Sequence, residues 1–216
     1  MITLGIIGVV AAITIPGLMT HFDKIRTVNQ LKEVYSILTQ GFKAASEEND
    51  LYTIGDNWND RTAVIEALKP YIKFLDVYSG NASGQRPMCY DGSIKSYVKG
   101  SAQYGWLTTV GVSTPFSNKT SSAKLINGAC VGFDLNAGTS RMVYVDVNGS
   151  QSRPNLIGKD LFFFSVKPDG SIIPTGYDLP YSTISANSGW GCNKKGGWGG
   201  YCAARIIRDG WQITYY

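Results

Sequence analysis

The first 22 residues, MITLGIIGVVAAITIPGLMTHF, contain no Lys, Arg, Asp or Glu; the first charge is Asp23. As a helix, 22 residues extend about 33 Å, roughly the thickness of a bilayer's hydrocarbon core. A helix that is apolar all round needs lipid or other apolar helices on every side. A signal peptide would be followed by a small-residue cleavage site, whereas this run is followed by charged, helix-forming sequence. A buried core helix is the alternative, and an apolar stretch of this length argues against it. Pro16 and Gly17 interrupt the run. Proline removes a backbone donor and kinks a helix, which membrane helices tolerate better than soluble ones. His21, without a carboxylate or thiol nearby in sequence, reads as an interfacial polar residue rather than a catalyst.

From Asp23 the pattern turns amphipathic. Ile25, Val28, Leu31, Tyr35, Leu38, Phe42 and Ala45 recur at spacings of three and four, with Lys24, Arg26, Lys32, Glu33 and Lys43 mostly between them. Glu47-Glu48-Asn49-Asp50 marks the end. The expectation is one continuous helix in two halves: 1–22, apolar all round, and 23–50, with one apolar stripe. The second half requires a globular body on one side, and 51–216 is expected to supply it.

That remainder can build a core. The chain of 216 residues has 13 Tyr, 8 Phe and 5 Trp, which excludes disorder. A mean hydropathy of -0.07 excludes a multi-span membrane protein. The formal charge of +4 does not by itself imply a nucleic-acid partner, and a single histidine excludes chemistry that needs two within one chain. Residues 51–60 read as a loop, and Asp60 is placed to cap a short helix over 61–69 with Val64, Ile65 and Leu68 inward. Residues 79–93, holding Cys89, read as loop. Strands are expected at 104–110, 130–135, 141–147 and 161–167. Asn136-Ala137-Gly138-Thr139 would join the second and third, and Asp169-Gly170 would turn the last back into Ser171-Ile172-Ile173. This is an antiparallel meander of about four strands with the helix across one face, an α+β head.

ITLGIIGVVAAITIP, residues 2–16, resembles the amino-terminal segment of type IV pilins and type II secretion pseudopilins, the prepilin-type cleavage/methylation proteins. The resemblance rests on Gly8, the Ala11-Ala12 pair, Pro16 and the flanking Ile and Val residues, in that order. TVNQLKEVYSILTQGFKAASEEND, residues 27–50, resembles the amphipathic half of the same helix. ALKPYIKF at 67–74, VDVNGSQSRPNLIGKDLFFF at 145–164 and YCAARIIRDGWQITYY at 201–216 have the look of minor-pilin-like members. In that family a basic leader ends in glycine, and a glutamate lies near the start of the apolar segment. Aligned on residues 2–16, that glutamate would fall just upstream of Met1, so the sequence as written reads as amino-terminally truncated.

The resemblance implies a filament subunit. Gly8, Ala11, Ala12 and Pro16 would belong to an assembly helix, with other pilin or pseudopilin subunits as partners. It also implies storage in the bacterial inner membrane as a single-pass protein with its head extracytoplasmic. Processing by a prepilin peptidase and extraction by assembly machinery, for the full-length form, would lead to an extracellular or periplasmic filament. A single-span anchored adhesin or carbohydrate- or DNA-binding module is the alternative, though it would not need Gly8, Ala11-Ala12 and Pro16 in that order.

The chemistry-bearing residues of the head are few. No G-x-S-x-G, H-E-x-x-H or C-x-x-C occurs, and no enzyme activity is expected. No metal or cofactor is expected either. The nearest approach is an oxygen set, Asp146, Asn148, Asn155 and Asp160, of the kind calcium takes from loops in some pseudopilins. Calcium takes six to eight oxygens, whereas this set has two acids, lacks the helix-loop-helix calcium spacing and consists of ordinary turn residues. The Gly-rich segment 189–202 lacks the strand, helix and glycine spacing of a phosphate loop. It reads as a disulfide-bounded surface loop. The sharper alternative is stacking of Trp190, Trp198 and Tyr201 on a surface glycan or DNA, with Lys194 and Lys195 attracting phosphate. Cys192 and Cys202 lie ten apart across flexible chain and are expected to pair, leaving Cys89 with Cys130; four cysteines allow three pairings.

Overall fold

A computed structural model describes residues 2–56, 62–78, 95–96, 121–135, 141–149, 152 and 156–216. Its first element is a single helix, α1 (Ile2–Ser46), 45 residues long, with Pro16 inside it. The stripe in its second half becomes core: Val28, Leu31, Val34, Leu38, Phe42 and Ala45 are buried. Two details differ from the sequence expectation. Val34 joins the buried stripe, and Ile25 remains 45 % exposed, one turn short of where the head begins to cover the helix. Full burial of side chains such as Leu31, Leu38 and Phe42 stabilises by about 1.5–3 kcal/mol each, so this face dominates the docking of α1.

After α1 the chain makes a 3-10 turn at Ile54–Asp56 and a short helix, α2 (Ala63–Leu68), whose Val64, Ile65 and Leu68 are buried as expected. Thr62 stands at the N-cap without a side-chain cap bond. The cap expected from Asp60 lies outside the described residues, as do the strand expected at 104–110 and the connection 136–139.

The four-strand meander is an underestimate. Among the described residues the sheet has eight strands: β1 (Phe74–Tyr78), β2 (Lys95–Ser96), β3 (Ser121–Leu125), β4 (Cys130–Asp134), β5 (Met142–Asp146), β6 (Leu156–Ile157), β7 (Leu161–Val166) and β8 (Ile172–Pro174). They run in the order β1-β3-β4-β5-β7-β6-β2, with β8 also paired to β7. Most pairs are antiparallel; β2–β6 and β6–β7 are parallel. The expected strands are β4, β5, β7 and β8. The sequence reading missed β1, β2, β3 and β6; in β3, SSAKL has little apolar alternation, yet four of its five residues are buried. Two helices it also missed, α3 (Tyr181–Ile184) and α4 (Cys202–Arg208), complete the α+β head.

Central strands β5 and β7 bury both faces, so their side chains alternate between two clusters. Val143, Val145, Phe162, Phe164 and Val166 join the core that contains the buried stripe of α1. Met142, Tyr144, Leu161 and Phe163 form a second cluster under Trp190 and Trp198. The register sets Tyr144 opposite Phe163, with ring centroids 5.2 Å apart and near edge-to-face at 83°.

The turn between β7 and β8 docks on the end of α1 and explains one glycine. Gly170 has φ +77°, and a Cβ there would lie 2.4 Å from the Ser46 Cβ. Asp169 Oδ1 accepts from both the Ser171 N–H and its hydroxyl. Those bonds hold the Asp169 carboxyl below its usual range. Only a residue without a side chain can both take that backbone and let α1 approach.

Candidate functional site

Among the described residues, nothing covers the first half of α1. Ile6, Ile7, Val9, Val10, Ile13, Ile15, Leu18, Met19 and Phe22 are all at least half exposed, with Ile13 highest at 74 %. Gly8 and Gly17 have open space where a Cβ would stand. Thr14 and Thr20 donate their hydroxyls to the Val10 and Pro16 carbonyls at 2.9 and 3.0 Å. Those bonds hide two polar groups that an apolar medium would penalise. Pro16 cannot supply the N–H that the Ala12 carbonyl would normally accept, yet the helix continues through it. The result is an apolar rod, a candidate single membrane span by length and composition. Gly8, Ala11, Ala12 and Pro16 all lie on it, and exposed His21 ends it, its ring 6.3 Å from that of Phe22.

In the head, the disulfide joins Cys192 to Cys202 across a Cα–Cα distance of 4.9 Å. Both cysteines are fully buried, which corrects the reading of a merely surface loop. Cys130 is also disulfide-bonded; its expected partner, Cys89, lies outside the described residues.

The glycines around the bridge are required by packing. A Cβ on Gly191 would lie 2.1 Å from the Ala186 carbonyl oxygen, one on Gly196 1.9 Å from that of Asn187, and one on Gly200 2.3 Å from the Trp190 ring. Trp190 sits 3.9 Å from Trp198 and 5.9 Å from Tyr201 between ring centroids, and both tryptophans pack against Phe163. All three rings have aromatic neighbours and remain partly exposed.

Three of the four candidate metal donors converge. The Asn148 N–H donates to Asp146 Oδ1 at 3.3 Å and its amide to Asp160 Oδ2 at 3.3 Å, while the Leu156 N–H donates to Asp160 Oδ1 at 2.6 Å. The fourth, Asn155, lies outside the described residues. Asp146 is wholly buried, and its Oδ2 has no hydrogen-bond partner. Burial, and secondly the Asp160 carboxylate, push the Asp146 carboxyl up to about 8. Amide donors occupy three of the four carboxylate oxygens. Among the described residues no group of three His, Cys, Asp or Glu could hold an ion. A proton on Asp146 would relieve the repulsion from Asp160.

Sequence reasoning missed a basic cluster at the point where α1 leaves its apolar half. The Lys24 ammonium lies 4.7 Å from the centroid of the Tyr216 ring and the Lys159 ammonium 5.3 Å from it. Lys24 also donates to the Tyr216 main-chain oxygen. No periodic signal links residues so distant in sequence.

Comparison with protein-family models, curated proteins and solved structures finds no match for this chain.

Proposed function

We propose that this chain is a structural subunit of a type IV pilus or type II secretion pseudopilus, polymerising through α1. In this reading it is held before assembly as a single-pass protein of the bacterial inner membrane, with its head extracytoplasmic. The apolar halves of neighbouring subunits then pack together in the filament core, and the heads tile the outside. The role is mechanical and non-catalytic. One observation carries the reading: a single 45-residue helix is buried along one face of its second half and bare along its first. The order of Gly8, Ala11, Ala12 and Pro16 adds the resemblance to it.

The test is co-expression of the chain, carried behind a prepilin leader and the family's glutamate, with a prepilin peptidase and assembly motor. Leader removal and sheared filaments containing the chain are expected. If neither occurs while a known pilin in the same cells gives both, the assignment fails. A membrane-anchored adhesin or sugar- or DNA-binding module is the second reading, favoured by the partly exposed Trp190 and Trp198 beside exposed Lys194 and Lys195. It predicts insertion without filaments.

A further inference from the structure

Lys24 and Lys159 belong to two different elements, α1 and the turn between β6 and β7. The fold nevertheless brings them to one place, around Tyr216. The Lys24 and Lys159 ammonium groups share the Tyr216 ring, and the Tyr215 hydroxyl donates to the Gly158 carbonyl, tying the carboxyl-terminal segment to the same turn. Burial, then the positive charges of Lys159 and Lys194, hold the Lys24 ammonium below its usual range. Like charges crowded in this way favour an anion.

A groove of about 210 Å³ opens beside them, lined by Asp23, Arg26, Gln30, Lys159, Asp160 and Tyr216 among others. Its two acids do not cancel the bases. Asp160 is 2 % exposed, and its two oxygens accept from Leu156 and Asn148. That leaves Asp23 against Lys24, Arg26 and Lys159, with the Tyr216 main-chain oxygen accepting from Lys24.

The position along α1 identifies the anion. Phe22, 60 % exposed, ends the apolar rod two residues before Lys24. At about 1.5 Å of rise per residue, the lysines lie a few ångströms beyond the last apolar turn. With that turn in hydrocarbon, this is the depth of lipid phosphates, where lysines reach outward from an apolar stem.

We propose that Lys24 and Lys159 form a headgroup site for anionic phospholipid at the junction of α1 and the head. Arg26 and Gln30 border the site and can donate to the same phosphate. The site fixes how deep α1 sits and which side of the head faces the membrane. This rests on the reading that the apolar half of α1 lies in a membrane, though not on filament assembly.

The test places the full chain in phosphatidylcholine vesicles containing a minority of phosphatidylglycerol. Electron spin resonance of spin-labelled phosphatidylglycerol and phosphatidylcholine then measures which lipid the chain restrains. Preference for the anionic lipid is expected, weakening with salt. It should fall roughly fivefold per lysine neutralised in K24Q and K159Q, the effect typical of a basic residue near an anionic surface. The double variant K24R/K159R should keep the preference, which separates charge from any loss of fold in the glutamine variants. Equal restraint of the two lipids, or a preference unchanged in K24Q/K159Q, overturns the site while leaving the membrane reading intact. Displacement of the labelled lipid by inorganic phosphate overturns it in favour of a soluble anion. A chain that remains outside the vesicles removes the membrane reading and the site together.

Discussion

Tyr35 of α1 stacks on Phe164 of β7, with ring centroids 5.3 Å apart and planes 18° from parallel. Trp211 closes on the same tyrosine at 6.1 Å, and Lys32 lies over the Trp211 ring at 5.3 Å. This aromatic seam fastens the second half of α1 to the centre of the sheet and to the carboxyl-terminal segment. A few turns earlier the large apolar side chains of the same helix are at least half exposed. The packing that holds the head and the bare apolar surface thus lie on different halves of one element.

Phe164→Ala should lower the unfolding free energy of a chain beginning at Asp23 by about 3–5 kcal/mol, as large-to-small changes in packed cores do. Ile13→Ala in the whole chain should leave the unfolding of the head unchanged, because Ile13 is 74 % exposed. Urea titration followed by tryptophan fluorescence measures both. A null effect at Phe164 would show that the seam does not hold the helix.

A chain beginning at Asp23 should be a soluble monomer, and the whole chain should partition into detergent or membranes. Sedimentation with and without detergent decides it. A whole chain that stays monomeric in plain buffer rules out the span.

The Asp146 carboxyl makes stability depend on pH with a definite sign. Its ordinary value is 3.8, and burial, with Asp160 beside it, raises it to about 8 in the fold. The protonated group's contribution is full below about pH 4 and is lost as pH rises towards 8, with a limiting slope of about 1.4 kcal/mol for each step of one in pH. Thermal melts of the Asp23-initiated chain should therefore show a stability falling across that window. Asp146→Asn, neutral and of equal size, should flatten the profile and melt higher at pH 8. Millimolar calcium should leave the wild-type slope in place; a slope abolished by calcium would mean that a cation, rather than a proton, neutralises the carboxylate.

Replacing Cys192 and Cys202 together by alanine should cost about 2–3 kcal/mol, the chain-entropy value for so short a loop. Non-reducing peptide mapping of secreted material should recover the two in one linked peptide. Free thiols at both positions would contradict it.

Gly191→Ala tests whether the Gly-rich segment is a packing device. The new methyl would meet the Ala186 carbonyl oxygen at 2.1 Å, and overpacking of this kind typically costs about 1–3 kcal/mol. Gly8→Ala, with open space around it, should leave the head's denaturation midpoint unchanged. Equal midpoints for the two variants would mean that the segment yields freely.

The features legible along the chain are local and periodic. An uncharged run long enough to span a bilayer, a stripe at spacings of three and four, the strands that became β4, β5, β7 and β8, and the turn at Asp169-Gly170 all repeat or punctuate within a few residues. A pair of cysteines ten apart in flexible chain belongs with them, since a short loop closes at low entropic cost. Tertiary structure alone decided the rest. Ser121–Leu125 is a strand because β1 and β4 flank it, not because SSAKL alternates. Asp146 follows Met142 and Tyr144 on one face of β5, and it is buried because the rest of the head covers that face. Lys24 and Lys159 are neighbours because α1 and the β6–β7 turn meet at Tyr216. Such convergence depends on which faces pack together across long stretches of chain, and no pattern within a few residues encodes it.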